Sequence, residues 1–155
     1  MPPGKHRVTA RVLPVSADGG VLLLEERDPA RPERHYWSSI GGAVDAGESL
    51  RAAAAREMFE ETGIAVRADA LRGPVMVVEN AYSWGGVDYL GEHTYFALPL
   101  ERGVTVSFDH LEVEEVGNVL GADWWDADAI VAVEHEPPTL PEIMQAAVAA
   151  VEEDR

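Results

Sequence analysis

Residues 49–63 commit this chain to a helix whose two ends are written into the sequence. Ser49 is a residue type that caps a helix start, the run Ala52-Ala53-Ala54-Ala55 has the highest helix propensity available, and Gly63 stands where a left-handed terminating residue belongs. At about 100° per residue, Ala52, Ala55, Met58 and Phe59 share one broad face, which is expected to meet a core. Glu57, Glu60 and Glu61 fall together on roughly the opposite third. The pairs 57/60 and 57/61 have the spacings at which like charges repel, by roughly a few tenths of a kcal/mol each in isolated helices. They also crowd the end of the helix, where its dipole disfavours negative charge. A solvated acidic face is one reading of these residues. A bound divalent cation is the other, and it would remove both conflicts. Carboxylates are hard oxygen ligands, so Mg²⁺ is the natural candidate, with Mn²⁺ the second. Zinc fits poorly, because the five histidines are scattered and there is no cysteine.

Strands are expected around this helix. Residues 7–15 alternate enough for one, Gly19-Gly20 makes a turn, and Val21-Leu22-Leu23-Leu24 suits a short buried strand. Residues 28–35 contain Pro29 and Pro32 among Arg31, Arg34 and His35, and are predicted to form a loop. Residues 75–78 and 94–100 read as strands, residues 81–91 as a long hairpin connection, and Trp124-Trp125 as the end of one more strand. Near the C-terminus, Thr139-Leu140-Pro141-Glu142 fits a capping box with proline in the first turn. Leu140, Ile143, Met144, Ala147, Val148 and Val151 then form an apolar stripe at helical spacing. The alternation of strands and helices predicts an α/β (α+β) layered domain, with helices on a mixed sheet. The length of 155 residues suits one such domain over residues 1–155.

Charge narrows the partners. With 12 Lys and Arg against 28 Asp and Glu, the net charge of −16 repels phosphate backbones and argues against duplex nucleic acid. Solubility alone accounts for such a charge; a polyanionic substrate that needs cations to approach would account for it too. There is no apolar run of the ~20 residues needed to span a bilayer. The start, Met1-Pro2-Pro3-Gly4-Lys5-His6-Arg7, lacks the apolar stretch of a secretory signal. A soluble cytoplasmic protein without membrane partners is expected, and a homodimer is left open.

The segment Gly42-Ala43-Val44-Asp45-Ala46-Gly47-Glu48, followed by Arg56-Glu57-Met58-Phe59-Glu60-Glu61-Thr62-Gly63-Ile64, carries the chemistry. Gly42, Glu48, Arg56, Glu57, Met58, Glu60, Glu61, Gly63 and Ile64 satisfy every fixed position of the box that defines the Nudix family. Fixed spacing over that many positions is a specific signal, and the chain is identified by it as resembling that family. Residues 37–42 and Trp124-Trp125-Asp126 are similar to the family's flanking segments. Ile40 departs, standing where many members have proline, so a small change of backbone shape is expected there.

The resemblance implies an α/β/α sandwich with a central mixed sheet. It implies Glu57 and Glu61 as principal metal ligands, Glu60 as a further or water-mediated ligand, and the Gly41 carbonyl facing the metal. Arg56 would orient the glutamates, and Glu48 would support the loop–helix geometry. The implied reaction is substitution at phosphorus by water. A carboxylate outside the box often serves as base in this family. Glu112, Glu114 and Glu115 are the candidates, Glu115 favoured by its spacing to the tryptophans, and activation by the box glutamates alone is the alternative. For a small nucleotide-like substrate, Tyr82, Trp84 and Tyr89 are candidates for stacking on a base. Arg27, Arg31, Arg34 and His35 are candidates for meeting a terminal phosphate. Local packing and a solvated basic loop are the plainer readings of those groups. The expected activity is cleavage of a phosphoanhydride bond in a nucleotide sugar, ADP-ribose or a nucleoside triphosphate. The alternatives are a ligand sensor without turnover and a hydrolase of RNA 5′-ends or dinucleoside polyphosphates. An isoprenoid diphosphate isomerase usually recruits a cysteine, which is lacking here.

Overall fold

A computed structural model describes residues 4–153, so residues 1–3 of the amino-terminal segment considered above lie outside the described residues. Strand β1 (Lys5–Val15) is the axis of the sheet. It runs parallel to β6 (Val87–Pro99) and antiparallel to β2 (Val21–Asp28) and to the short β4 (Ile40–Ala43). The main order is β3-β2-β1-β6-β5, with β3 (Arg31–Ser38) and β5 (Arg72–Trp84) at its ends, while β7 (Val119–Trp125) pairs with β2. A mixed seven-stranded sheet results, as the alternation of elements predicts.

Successive β1 residues point to opposite faces, and beyond Arg11 the strand is apolar on both. A helix covers each face. Ala53, Ala54 and Met58 of α1 (Leu50–Thr62) pack with Ala10, Val12, Leu22, Leu24 and Phe96. Leu140, Ile143, Met144, Ala147 and Val151 of α3 (Leu140–Glu153) pack with Leu13, Val15, Val21, Leu23 and Tyr95 on the other face. The predicted stripe is thus the core face of α3, with Val148 half-buried at its edge. Burying each large side chain of this kind stabilises the fold by about 1.5–3 kcal/mol. This is the sandwich expected from the family resemblance. A four-residue helix, α2 (Ala127–Ile130), leads from β7 toward α3.

Three expectations need correction. Residues 31–35 are not loop: they begin β3, which pairs with β2 as a hairpin. Pro32 is tolerated because it lies in the irregularity between the paired Arg31 and His35 of this end strand, where it has no ladder partner in β2. Residues 81–91 are not a long connection either. β5 and β6 continue to Trp84 and Val87, joined by Gly85-Gly86 with φ of 61° and 78°. Two successive left-handed residues form the tight turn that matches strand twist, and glycine supplies them without strain. The third concerns α1, where the buried residues include Glu57, Glu61 and Thr62 while Phe59 is 40% exposed. The helix is rotated from the amphipathic expectation because its carboxylates turn inward.

α3 covers only part of its sheet face. Toward the start of β1 the same row continues as Arg7, Thr9 and Arg11, beside His93 on β6. Arg7, Arg11 and His93 line a cleft there.

Candidate active site

The carboxylates are placed by a helix with well-made ends. Ser49 accepts a hydrogen bond from the Ala52 N–H at 3.1 Å, and Gly63, at φ 74°, closes the last turn through its N–H on the Phe59 carbonyl at 2.8 Å. Arg56 sits at the centre of the acids. Its Nε and Nη2 donate to the two Glu48 oxygens at 2.8 and 2.9 Å, and Nη1 donates to Glu57 at 3.0 Å and to Glu60 at 3.2 Å. Nη2 also reaches the Ala43 carbonyl at 3.0 Å, tying the loop to the helix. The bidentate bond to Arg56 holds the Glu48 carboxyl below its usual range.

Glu57 is 6% exposed and Glu61 is 1% exposed. The Gly41 N–H donates to Glu61 Oε1 at 2.6 Å. At Gly42 a β-carbon would lie 2.6 Å from Glu57 Oε1, so only glycine lets the carboxylate lie against this backbone. Burial, and then repulsion from Glu60, pushes Glu57 up to about 7. Burial, and then hydrogen bonding and repulsion with Glu115, pushes Glu61 well above the carboxylate range.

Residues 107–118 bring further acids from outside the helix. The Ser107 N–H bonds the Thr62 carbonyl at 2.8 Å, and His110 stacks on Phe59 with ring centroids 4.5 Å apart. At the other end the Arg27 N–H bonds the Asn118 carbonyl at 2.9 Å, and its guanidinium bonds the Asn118 side chain. Glu57, Glu61 and Glu115 thereby present oxygens within 4.8 Å of one another, as do Glu57, Glu60 and Glu112. Burial first, then Glu60 and Glu114, raises Glu112 as well. Hard oxygen donors converge here with Arg56 as their bonded cation, and the buried pair has little water to screen it. That donor set fits a divalent ion of the Mg²⁺ or Mn²⁺ kind.

These acids border a cleft of about 850 Å³. Gly41, Arg56, Glu57, Glu112, Glu114 and Glu115 line it, and so do Arg31, Arg34, Tyr82, Trp84 and Tyr89. Glu60 and Glu61 do not line it, and join the centre through Glu57. Arg34 is bound to Glu136 at 2.6 Å and lies over the Tyr36 ring, so its charge is partly spent. Tyr82 and Tyr89 stack on each other at 5.3 Å. Of the candidates for phosphate, Arg27 is turned to Asn118 and His35 is exposed, and neither lines the cleft. Arg7, Arg11, Asn80 and His93 line the cleft without having been singled out in the sequence. Desolvation, then Arg11 and Arg7, pushes His93 down to about 3, so it is neutral. The available signal was the polar row 7, 9, 11 in a strand whose other residues are mostly apolar.

Comparison with known proteins agrees with this geometry. The chain is 42% identical over 68 residues to the uncharacterized Nudix hydrolase YvcI of Bacillus subtilis, a match covering 44% of this chain and 39% of that protein. A MutT-like protein of Streptomyces ambofaciens is 32% identical over 94 residues, covering 56% of this chain and 58% of that one. The chain thus spans less than two thirds of these relatives. The Escherichia coli dihydroneopterin triphosphate pyrophosphohydrolase superposes with a TM-score of 0.63 at 26% identity, over 96% of this chain and 99% of that one. The family model described as the NUDIX domain matches residues 5–147, and the chain belongs to the Nudix hydrolase family.

Proposed function

We propose that this protein is a divalent-metal-dependent pyrophosphohydrolase that cleaves a phosphoanhydride bond in a nucleotide sugar, ADP-ribose or a nucleoside triphosphate. The observation that carries this reading is the convergence of Glu57, Glu61 and Glu115, two of them buried, beside a cleft of about 850 Å³. That volume lies within the range of small-molecule sites. Nudix enzymes generally use divalent metals, and a pyrophosphohydrolase among the structural relatives supports the reaction class.

Glu57 and Glu61 are the principal ligands in this reading, with Glu60 as a further one and the Gly41 carbonyl beside them. The ion supplies polarisation of phosphoryl oxygens and activation of water. Arg56 positions Glu57 and Glu60 through bonds of 3.0 and 3.2 Å, and Glu48 holds Arg56 in turn. Glu115 takes the proton of the attacking water as its oxygen bonds to phosphorus and the bridging P–O bond breaks. Tyr82 and Trp84 offer stacking surface to a base, and Arg31, which has no bonded partner among the described residues, meets phosphate. Arg34 contributes less, being committed to Glu136.

The test is a panel of nucleotides incubated with Mg²⁺ or Mn²⁺, with products separated by chromatography. Release of a nucleoside monophosphate is expected with at least one of them, and none in excess chelator. Full turnover without metal overturns the metal assignment. Tight ligand binding with no product throughout indicates a sensor instead.

A further inference from the structure

Along β1, β5 and β6 the cleft carries a chain of hydrogen bonds whose direction follows from its members. The parallel register sets Thr9 of β1 beside His93 of β6. Arg11 Nε donates to Thr9 Oγ1 at 3.1 Å, and Thr9 Oγ1 lies 2.6 Å from His93 Nδ1. A guanidinium only donates. If Nδ1 also donated to Thr9, the buried Thr9 hydroxyl proton would have no acceptor among the described residues. Thr9 therefore donates to Nδ1, and the neutral ring carries its hydrogen on Nε2. His93 Nε2 lies 2.8 Å from Asn80 Oδ1 and donates to it. With its oxygen engaged, Asn80 offers only its amide N–H groups to the cleft.

Arg7 and Arg11 complete the set. Arg7 donates to the Tyr82 hydroxyl at 3.3 Å, and Arg11 to the Ser39 carbonyl at 3.2 Å. Among the described residues neither has a carboxylate at ion-pair distance, although acids outnumber bases by 28 to 12. In the same cleft Arg34 and Arg56 are both paired. Glu26 and Glu61 act on Arg11 only at longer range, and Glu26 itself accepts from Ser38. The groups left over are donors and positive charge; Glu26 lines the same cleft and acts on both arginines without bonding either.

We propose that Arg7, Arg11 and Asn80 form a phosphoryl-binding subsite, which holds a phosphate of the substrate other than the one under attack. As a statement about substrate this rests on the function proposed above; as a statement about anion binding it does not. It makes nucleoside triphosphates, whose chain ends in charged phosphate, the preferred class over nucleotide sugars, whose far end is neutral. Thr9 and His93 are positioning residues, which fix the Asn80 amide with its N–H groups forward.

The decisive experiment uses the full chain freed of metal, so that no turnover intervenes. Inorganic phosphate is titrated by calorimetry and by nuclear magnetic resonance of the arginine Nε–H and Asn80 amide signals. Saturable binding is expected, with shifts at Arg7, Arg11 and Asn80. Arg7→Gln and Asn80→Asp should each weaken it at least tenfold, the second by placing an acceptor of the same shape where a donor stood. Both sites are half-buried, so folded variants are expected, and circular dichroism checks this. Long-range nitrogen correlation spectra should report His93 with hydrogen on Nε2. With metal restored, Arg7→Gln should lower kcat/KM at least tenfold more for a nucleoside triphosphate than for a nucleotide sugar. Absent phosphate binding, binding indifferent to both variants, hydrogen on Nδ1, or equal loss for both substrates each overturns the subsite. Phosphate binding with the expected losses but no hydrolysis of any nucleotide leaves the subsite standing and removes the enzymatic reading.

Discussion

The two walls of the cleft carry opposite charge, and each is incomplete in its own way. On one wall Glu57, Glu112 and Glu115, with Glu60 and Glu61 behind Glu57, are brought together more closely than free carboxylates would choose, and Glu57 and Glu61 are nearly out of water. Arg56 offsets part of that repulsion and cannot offset all of it. On the other wall Arg7 and Arg11 lean on the Tyr82 and Thr9 hydroxyls, the Ser39 carbonyl and the Tyr89 ring, and neither is bonded to a carboxylate. A wall that is short of a cation and a wall that is short of an anion face one space. A metal-bound phosphate compound would satisfy both at once, which neither wall would indicate alone.

The comparison is tested most severely by the group assigned to the proton. A positioned carboxylate base typically contributes about 10²–10⁴-fold. Glu115→Gln should lower kcat by that order and leave KM nearly unchanged. Glu112→Gln and Glu114→Gln are the controls, since both line the cleft from the same segment. If all three keep most of their activity, the water is activated within the helix, and the acidic wall ends at Glu57, Glu60 and Glu61. Next in size is Glu61→Gln, with an expected loss of at least about 10²-fold, the scale for one preorganised electrostatic element. Its metal-free melting temperature should hold or rise, because a repelling charge leaves a site that is 1% exposed. A fall of several degrees instead would mean that the bond from the Gly41 N–H outweighs the repulsion.

The basic wall makes its own prediction about pH. His93 has its folded value pushed down to about 3 from an ordinary 6.5, by desolvation and by Arg11 and Arg7. The unfolded chain therefore takes up the proton first as pH falls. The stability contributed by neutral His93 is complete above about pH 6.5 and is lost progressively from there down toward 3. Between pH 7.5 and 5.5 the loss from this group alone is about 1.4 kcal/mol, since one unit is worth about that much. Chemical unfolding across that range should show the slope in the wild type, and His93→Gln should flatten it. An equal slope in both would mean that the imidazole is not held neutral by its neighbours.

The acidic wall was legible in the sequence and the basic wall largely was not, for a physical reason. Glu57, Glu60, Glu61 and Arg56 lie within two turns of one helix, so 3.6-residue periodicity alone places them together. The spacing from Gly42 likewise marks the loop that touches them. Arg7, Asn80 and His93 come from three strands, and they meet only through the pairing of β1 with β6 and β6 with β5. Nothing local in the sequence encodes that register. Two of the missed extents were matters of strand length: prolines near Arg31 and glycines near Trp84 suggested loops, where an edge strand and a tight turn hold those residues. Helical spacing puts Phe59 on one face with Ala52, Ala55 and Met58, and the structure gives it to His110 on the segment bearing Glu115. A contact across sequence overrode the pattern along it.

The smallest expected effect asks how far the acidic wall depends on its helix start. Ser49 accepts from the Ala52 N–H at 3.1 Å, and it neither lines the cleft nor bonds any of the acids. Replacing a capping serine by alanine leaves one helix N–H without its partner, which typically costs about 1 kcal/mol. For a chain of this size that corresponds to a fall of about 2–4 °C in Tm. kcat at saturating Mg²⁺ should stay within about twofold, because Arg56 ties the loop to the helix independently, through Glu48 and the Ala43 carbonyl. Differential scanning calorimetry and steady-state kinetics on Ser49→Ala separate the two effects. A Tm loss with kcat intact assigns the geometry of the acidic wall to Arg56 and its bonds. A tenfold fall in kcat would assign it to the first turn instead, and Arg56→Lys should then matter less than the bond network suggests.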